Sequence, residues 1–417
     1  MAEAAAIFFT EWLMAAGVTA ATAYVAAGYL VMAGSAIVLG AVSRALLKPP
    51  SASSLSGGQM VTAKQPIGAH TIVYGRTRVG SVVVFMEGTN DNKYLHLVLA
   101  VAGHEIDGFE KVYFNDEEVA LDAFGIGYDG KARVQYKLGT DDQVAFQDLI
   151  TESAAGWGNN HRLRGRACAY VRLEYNQDKF PSGVPNITFL VRGKKVYDPR
   201  SGSINWSANA ALCLNDYLTS TRYGLGATYA NEIDAASLIA SANICDEIVN
   251  LYADGAEMRY LMNGAISTAN TPQDIIHAML SAMAGKAVFT SGKWRILAGA
   301  YYTPTLTFDE NDLRGGFRVQ SLVSRRENFN CVKGVFAAAT DNYVLSDFPP
   351  VVSATFIAQD NGETVYKNIE LPFTTSASMA QRLAKIELLK ARQQITLTFQ
   401  LKLQGLQANA GLDSDCA

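Results

Sequence analysis

The side chains able to do chemistry are few and scattered. The five histidines, His70, His96, His104, His161 and His277, stand at no metal-ligand spacing from one another or from a cysteine. The five cysteines, Cys168, Cys213, Cys245, Cys331 and Cys416, form no CxxC pair and no even framework, so they read as reduced thiols of a chain assembled in the cytosol. HExxH, GxSxG, Walker A and GxGxxG runs do not occur. Adjacent acids at Glu117-Glu118, Asp141-Asp142 and Asp309-Glu310 offer the two carboxylates that glycoside hydrolysis needs, but each pair neighbours turn-forming residues, where acids usually face water. Cys168 with His161 is the pairing to look for in space, since a thiol nucleophile needs a base. His96 lies inside a hydrophobic run and reads as a satisfied core or interface imidazole, while His277 falls on the polar side of a helix beside Gln273 and Ser281. These residues predict a protein that is not an enzyme, with no metal and no cofactor.

Charge gives a second candidate. The formal net charge is −4, with 18% charged and 49% hydrophobic residues, an ordinary globular balance in which nothing global points to nucleic acid. Residues 161–200 nevertheless carry nine Lys and Arg against three acids. Arg162, Arg164, Arg166 and Arg172 are therefore the candidates for a basic channel or interface surface. In "RLRGRACAYVRLEY", Arg164, Arg166, Tyr170, Arg172 and Glu174 alternate with small and apolar residues, which predicts a half-buried antiparallel strand with one charged face. An exposed sheet face is the simpler of the two readings, because Tyr170, Tyr175 and Phe180 are the only aromatics interleaved with the charges.

The elements that must position these groups begin oddly. Residues 12–43 contain no charge, more than the roughly 20 residues a bilayer span needs, and Arg44, Lys48 and Pro49-Pro50 close the run. A signal peptide fits poorly, since Glu3 and Glu11 lead instead of a basic region. Gly17, Gly28, Gly34 and Gly40 favour close helix packing. A membrane anchor and a helix or helical hairpin sheltered in an oligomer both remain open on these residues.

A Ser/Gly linker at 51–60 precedes alternating strand patterns: 79–86 and 94–101 form one hairpin, and Asn115-Asp116 turns another. Helical spacing starts near Ala208, continues at 233–244, and is clearest in "TPQDIIHAMLSAMAG", with Thr271 as cap, Pro272 in the first turn, Ile275, Met279 and Met283 on one stripe and Gly285 as closure. A hairpin through Ser291-Gly292, an amphipathic "SMAQRLAKIELLKAR" and a regular strand at 395–403 follow. The class is α+β: β-barrel or β-sandwich-like domains at 61–204 and 306–417 around a mixed helical block at 205–305, after an apolar helical segment at 1–50.

Several stretches together resemble the phage tail tip proteins related to the lambda host-specificity protein J. "QPIGAHTIVYGRTRVGSVVVF" and "HEIDGFEKVYFNDEEV" are similar to two of the family's segments. The most distinctive run has Val196-Tyr197-Asp198-Pro199-Arg200, Trp206 and Tyr223-Gly224 in order, and the likeness covers about residues 60 to 405. It implies a baseplate hub, a homotrimer whose β-barrel domains ring the end of the tail tube. The implied partners are the distal tail protein, the tape measure protein and other tail tip or receptor-binding proteins, with the host membrane and phage DNA met during ejection. It implies a virion location after assembly in the host cytoplasm. On this reading the apolar segment is sheltered, with Trp12, Gly17, Tyr24, Gly28, Tyr29, Gly34 and Gly40 as its membrane- or lumen-contacting residues. Family members run on beyond the "LQ…GL" region, whereas this sequence stops at "GLQANAGLDSDCA", so a separate receptor-binding protein or a truncated product is expected. The other expectations are a membrane-anchored bacterial envelope protein with a β-rich exposed domain, and a tail-associated hydrolase.

Overall fold

Asn and Asp set the turns of the first half, because their side chains tolerate left-handed backbone. The computed structural model describes residues 62, 68–153, 156–181, 183–252, 255–302, 307–320, 328–393, 396–402 and 415–416. The predicted apolar segment, with Trp12, Gly17, Tyr24, Gly28, Tyr29, Gly34 and Gly40, lies outside them, as does the 51–60 linker.

The chain order opens with β1 (Thr71–Tyr74), β2 (Arg76–Val79), β3 (Val82–Thr89), β4 (Tyr94–Ala102), β5 (Gly108–Phe114), β6 (Glu117–Glu118), β7 (Ile126–Gly127) and β8 (Ala132–Lys137). Helix α1 (Gln147–Glu152), β9 (Ala167–Glu174) and β10 (Ile187–Arg192) follow. Asn90, Asp91 and Asn92 at φ of 52°, 53° and 65° turn β3 into β4, and Asn115 and Asp116 at 49° and 71° turn β5 into β6. The second turn is held from outside: buried Arg78 donates to Asp116 Oδ1 at 2.6 Å. One sheet runs β3-β4-β9-β8-β7 and the other β2-β10-β5-β6. Between them, alternate residues such as Leu97, Leu99, Val171, Val112 and Phe189 form a core. Burying each such side chain is worth about 1.5–3 kcal/mol.

The second half is helical. After the hairpin β11 (Lys195–Asp198) and β12 (Ser203–Trp206) come α2 (Ala210–Thr219), α3 (Tyr229–Glu232) and α4 (Ala235–Cys245). Buried Asn209 caps α2 by accepting from Ala211 N and Leu212 N, and its amide donates to Ala242 O of α4 at 2.9 Å, so one side chain starts one helix and ties it to another. The strands β13 (Ile248–Asn250), β14 (Ala256–Met258) and β15 (Gly264–Ser267) precede α5 (Pro272–Ser281). Thr271 caps α5 as expected, and Ile275, Met279 and Met283 are buried. Gly285 is not the closing residue: Ala284, at φ 47°, takes the left-handed position. The hairpin β16 (Lys286–Thr290) and β17 (Lys293–Leu297) turns at Ser291 and Gly292, both at positive φ. β15 pairs with β1, which stitches this half to the start of the chain.

The last part contains β18 (Thr307–Phe308), β19 (Arg318–Gln320), β20 (Cys331–Ala338), β21 (Val344–Asp347), β22 (Val351–Val352), α6 (Ala354–Gln359), β23 (Tyr366–Leu371), α7 (Ala377–Ala391), β24 (Thr396–Thr398) and β25 (Asp415–Cys416). β20 is central: β21 and β22 pair antiparallel with its two ends, and β23 lies parallel along it. Met379, Leu383 and Leu388 of α7 enter one core with Val332, Phe336, Leu214 and Met279. Of the strand expected at 395–403, both end residues lie outside the described ones; among those described, β24 pairs with β19 and Leu397 is exposed. Alternation there marks a two-stranded ribbon, not a half-buried sheet strand.

The architecture is thus α+β with strands predominating among the described residues. The barrel expectation is corrected: the paired strands form open sheets, and no sheet closes on itself among the described residues.

Candidate functional site

The predicted basic strand divides into two unlike places. β9 begins at Ala167, so Arg162, Arg164 and Arg166 belong to the preceding loop, and the predicted single charged face does not exist. Ala167 through Val171 are buried on both faces because α1 covers the side that alternation assigned to water. Leu149 of α1, Phe146, Trp157, Val98 and Tyr170 form that second core.

Arg172 lies beside α1 in a polar network centred on Glu152. Its Nη1 donates to Glu152 Oε1 at 3.2 Å, and its guanidinium stacks 4.9 Å from the Tyr94 ring centroid. Arg133 Nη2 reaches both Glu152 oxygens at 2.8 Å, its Nη1 lies 3.3 Å from Asp148, and Tyr170 Oη donates to Glu152 at 3.2 Å. Buried His96 sits between Thr89 Oγ1 and Tyr170 Oη, each at 2.8 Å. Its pKa is lowered, first by burial and then by Arg172 and Arg133 against the opposing pull of Glu152. Burial would raise the Glu152 carboxyl, but the hydrogen bonds and charge of Arg133, with Arg172, carry it below the usual range. Histidine, tyrosine and glutamate in contact suggest an acid–base relay, yet every partner here is internal, so the arrangement clamps α1 onto the sheet. Glu152→Ala removes the shared anion from two half-buried arginines and is expected to cost about 2 kcal/mol, read as a lowered urea midpoint with α1 protection lost in hydrogen exchange.

The loop arginines gather at one end of the sandwich with groups from four other segments. Arg162 Nε donates to Asn159 O at 3.0 Å and Arg164 Nε to Gln143 O at 3.3 Å. Arg166 lines a groove of about 300 Å³ with His70, Val82, Val84 and Ala102. A second hollow of about 460 Å³ is lined by His104, Glu105, Asp141, Lys194, Arg222 and Tyr223. Asp216 of α2 anchors its wall: Tyr74 Oη donates at 2.7 Å, Lys194 Nζ at 2.9 Å and Tyr223 Oη at 3.1 Å. Burial would lower the Lys194 ammonium, but the Asp216 charge carries it upward. Tyr74 is raised well above its usual value by burial and then by Asp216.

His104 shows why this end is acid-sensitive. Its Nε2 accepts from Val73 N–H at 2.9 Å, which fixes the proton on Nδ1, donated to Glu105 O at 2.6 Å. Both ring nitrogens are committed to the neutral form. Burial, opposed by the Glu105 hydrogen bond, lowers the pKa from 6.5 to about 4. The folded value lies below the unfolded one, so the stability is fully present above pH 6.5 and is lost as pH falls from 6.5 toward 4. The loss should reach about 2–3 kcal/mol, and urea midpoints measured at pH 7 and 4.5 should differ less in His104→Gln than in the unaltered chain.

Cys168 and His161 do not meet. Burial pushes the Cys168 thiol up to about 12 beside Gln143, whereas His161 accepts from Gly158 N–H and packs on Trp157. The acid pairs Glu117-Glu118, Asp141-Asp142 and Asp309-Glu310 are exposed, and no cluster of three or more His, Cys, Asp or Glu suited to a metal occurs among the described residues. No helix among them is long and apolar enough to cross a membrane. Sequence reasoning missed Glu152, Arg133, Lys194 and Asp216, which are ordinary charged residues until the fold joins them across 19 and 22 positions. Tyr223 was singled out as part of a motif, and its role is the Asp216–Lys194 contact.

No family profile matches the sequence, and no curated protein matches it either. Among solved structures, a chain of the native gene transfer agent virion aligns with a TM-score of 0.59 at 18% identity, covering 93% of this chain and 90% of that one. The 43 kDa tail protein of prophage MuSo2 from Shewanella oneidensis covers 81% of this chain and 82% of its own at 11% identity, with a TM-score of 0.25. A prophage tail protein from Listeria monocytogenes covers the same shares at 10% identity, with a TM-score of 0.21. The last two are too distant to bear on the fold. Over nearly its whole length, then, this chain shares its fold with a chain of a gene transfer agent virion.

Proposed function

We propose that this chain is a structural tail protein of a bacteriophage or phage-like particle, and within the tail the hub at its tip. Three copies would close the tube, hold the distal tail and tape measure proteins, and shelter the apolar residues 12–43 until DNA ejection. Trp12, Gly17, Tyr24, Gly28, Tyr29, Gly34 and Gly40 would then meet the tube interior or the host envelope. The observation that carries the reading is the likeness across 93% of the chain to a gene transfer agent virion chain. The local chemistry agrees, because these half-buried ionisable groups are engaged with one another: Glu152 with Arg133 and Arg172, Asp216 with Lys194. Function would come from assembly and conformational change, and an obligate hub interface should bury more than about 2,000 Å². Light scattering of the purified chain tests the trimer. A mass three times the 44.9 kDa of one chain is expected, and a monodisperse monomer contradicts it.

A further inference from the structure

Among the described residues, most arginines have a carboxylate. Arg76, Arg133, Arg172, Arg192, Arg382 and Arg392 each form an ion pair. Arg166 and Arg222 have no anionic partner among the described residues, although they are neighbours. Arg222 Nη1 lies 3.8 Å from the position a Cβ on Gly165 would take, and the charges of both arginines reach the same imidazole, His70. Arg166 brings an unpaired guanidinium to one end of the groove, and Arg222, without an ion pair of its own, lies near the same His70 in a hollow it shares with Glu105, Asp141 and Asp216.

The apolar groove of about 300 Å³ runs from Arg166 and His70 along Val82, Val83 and Val84 of β3. Among the described residues β3 is an edge strand paired with β4 alone, and the register skips Val84, which bulges out 47% exposed, with Met86 at 48%. An edge presenting unpaired backbone groups beside an apolar groove is the receiving half of strand addition. We propose that this edge docks an extended segment of a partner protein that alternates apolar and acidic residues, its apolar side chains against Val82 and Val84 and a carboxylate received by Arg166 and Arg222. Charge selects protein over nucleic acid. Glu105 and Asp141 line the adjoining hollow with Arg222 and would repel a continuous phosphate track, whereas interleaved signs fix the register of a protein contact. The surface is read on the purified chain alone, so failure of the tail assignment leaves it standing.

The test is fluorescence anisotropy of the full-length chain with a labelled alternating Val-Glu peptide, a Val-Lys peptide of the same length and a short DNA duplex. The Val-Glu peptide is expected to bind, more weakly at high salt and about tenfold more weakly to the Arg166→Gln/Arg222→Gln variant. Val84→Asp, which leaves both arginines in place and adds a carboxylate to the groove, should weaken it as well. Thermal unfolding of the variants, whose altered side chains have no ionic partner to lose, should be unchanged. Equal binding of the Val-Glu peptide by the double variant, equal binding of the Val-Lys peptide, or tighter binding of the duplex would each overturn the proposal.

Discussion

Gly224→Ala is expected to cost more than about 4 kcal/mol and to lower the melting temperature by roughly 5 °C or more, measured by calorimetry. The effect is steric. A Cβ on Gly224 would meet the carbonyl oxygen of Tyr217 well inside van der Waals contact and would press on the carbonyls of Tyr217 and Ser220. Those carbonyls end α2, and Gly224 N–H donates to Ser220 O at 3.1 Å, so the chain reverses against the helix it has just left. Neither partner can yield: Tyr217 is buried in the main core, and Tyr223, one residue before the glycine, is fixed to Asp216 and Lys194. Backbone atoms on both sides leave no flexible side chain to rotate away. Gly315→Ala, with nothing within 4 Å of the added atom, should leave stability unchanged and serves as the control.

Arg392→Ala should cost about 3 kcal/mol, because it removes the charged fork from a carboxylate that is only 20% exposed. Arg392 follows α7, its side chain only 7% exposed, and its fork grips Asp360 through Nη1 at 3.0 Å and through Nη2. Nε donates to Phe329 O at 3.0 Å, and the guanidinium lies 4.7 Å from the Phe356 ring centroid. Asp360 also accepts from buried Asn330 at 2.8 Å, and Asn330 in turn accepts from Val365 N–H at 2.9 Å and donates to Glu363 O at 2.7 Å. One arginine therefore joins the end of α7 to the end of α6 and to the start of β20. Arg392→Lys, which keeps the charge but loses the planar fork, should recover less than half of the loss in urea unfolding.

Local signals in the sequence predicted local structure well. Thr271 and Pro272 began α5 where the capping pattern put them, Asn115-Asp116 and Ser291-Gly292 turned their hairpins, and His96 is a buried imidazole with two partners. The reading failed where a side chain's environment is set by a distant segment. β9 alternates as a half-exposed strand would, and it is the short α1, with no side-chain cap, together with Phe146 and Trp157 on either side of it, that covers its outer face. Residues 396–402 alternate better still, yet among the described residues β24 pairs with a three-residue strand and Leu397 is exposed, because alternation states which residues share a face and not whether anything lies against it. The loop arginines were found by composition. Their separation from Arg172 was not, since a count of charges carries no direction. The motif residues became intelligible with the fold: Asp198 and Arg200 pair beside Asp246, Trp206 Nε1 donates to Gly75 O, and Gly224 allows the reversal after α2.

The central claim is that this chain is a built-in part of a tail. Quantitative mass spectrometry of purified, detergent-free particles from the strain that encodes it tests that claim most directly. The account predicts the chain in every particle at three copies per tail, in fixed ratio to the other tail proteins. Its absence from particles that are otherwise complete would contradict the account.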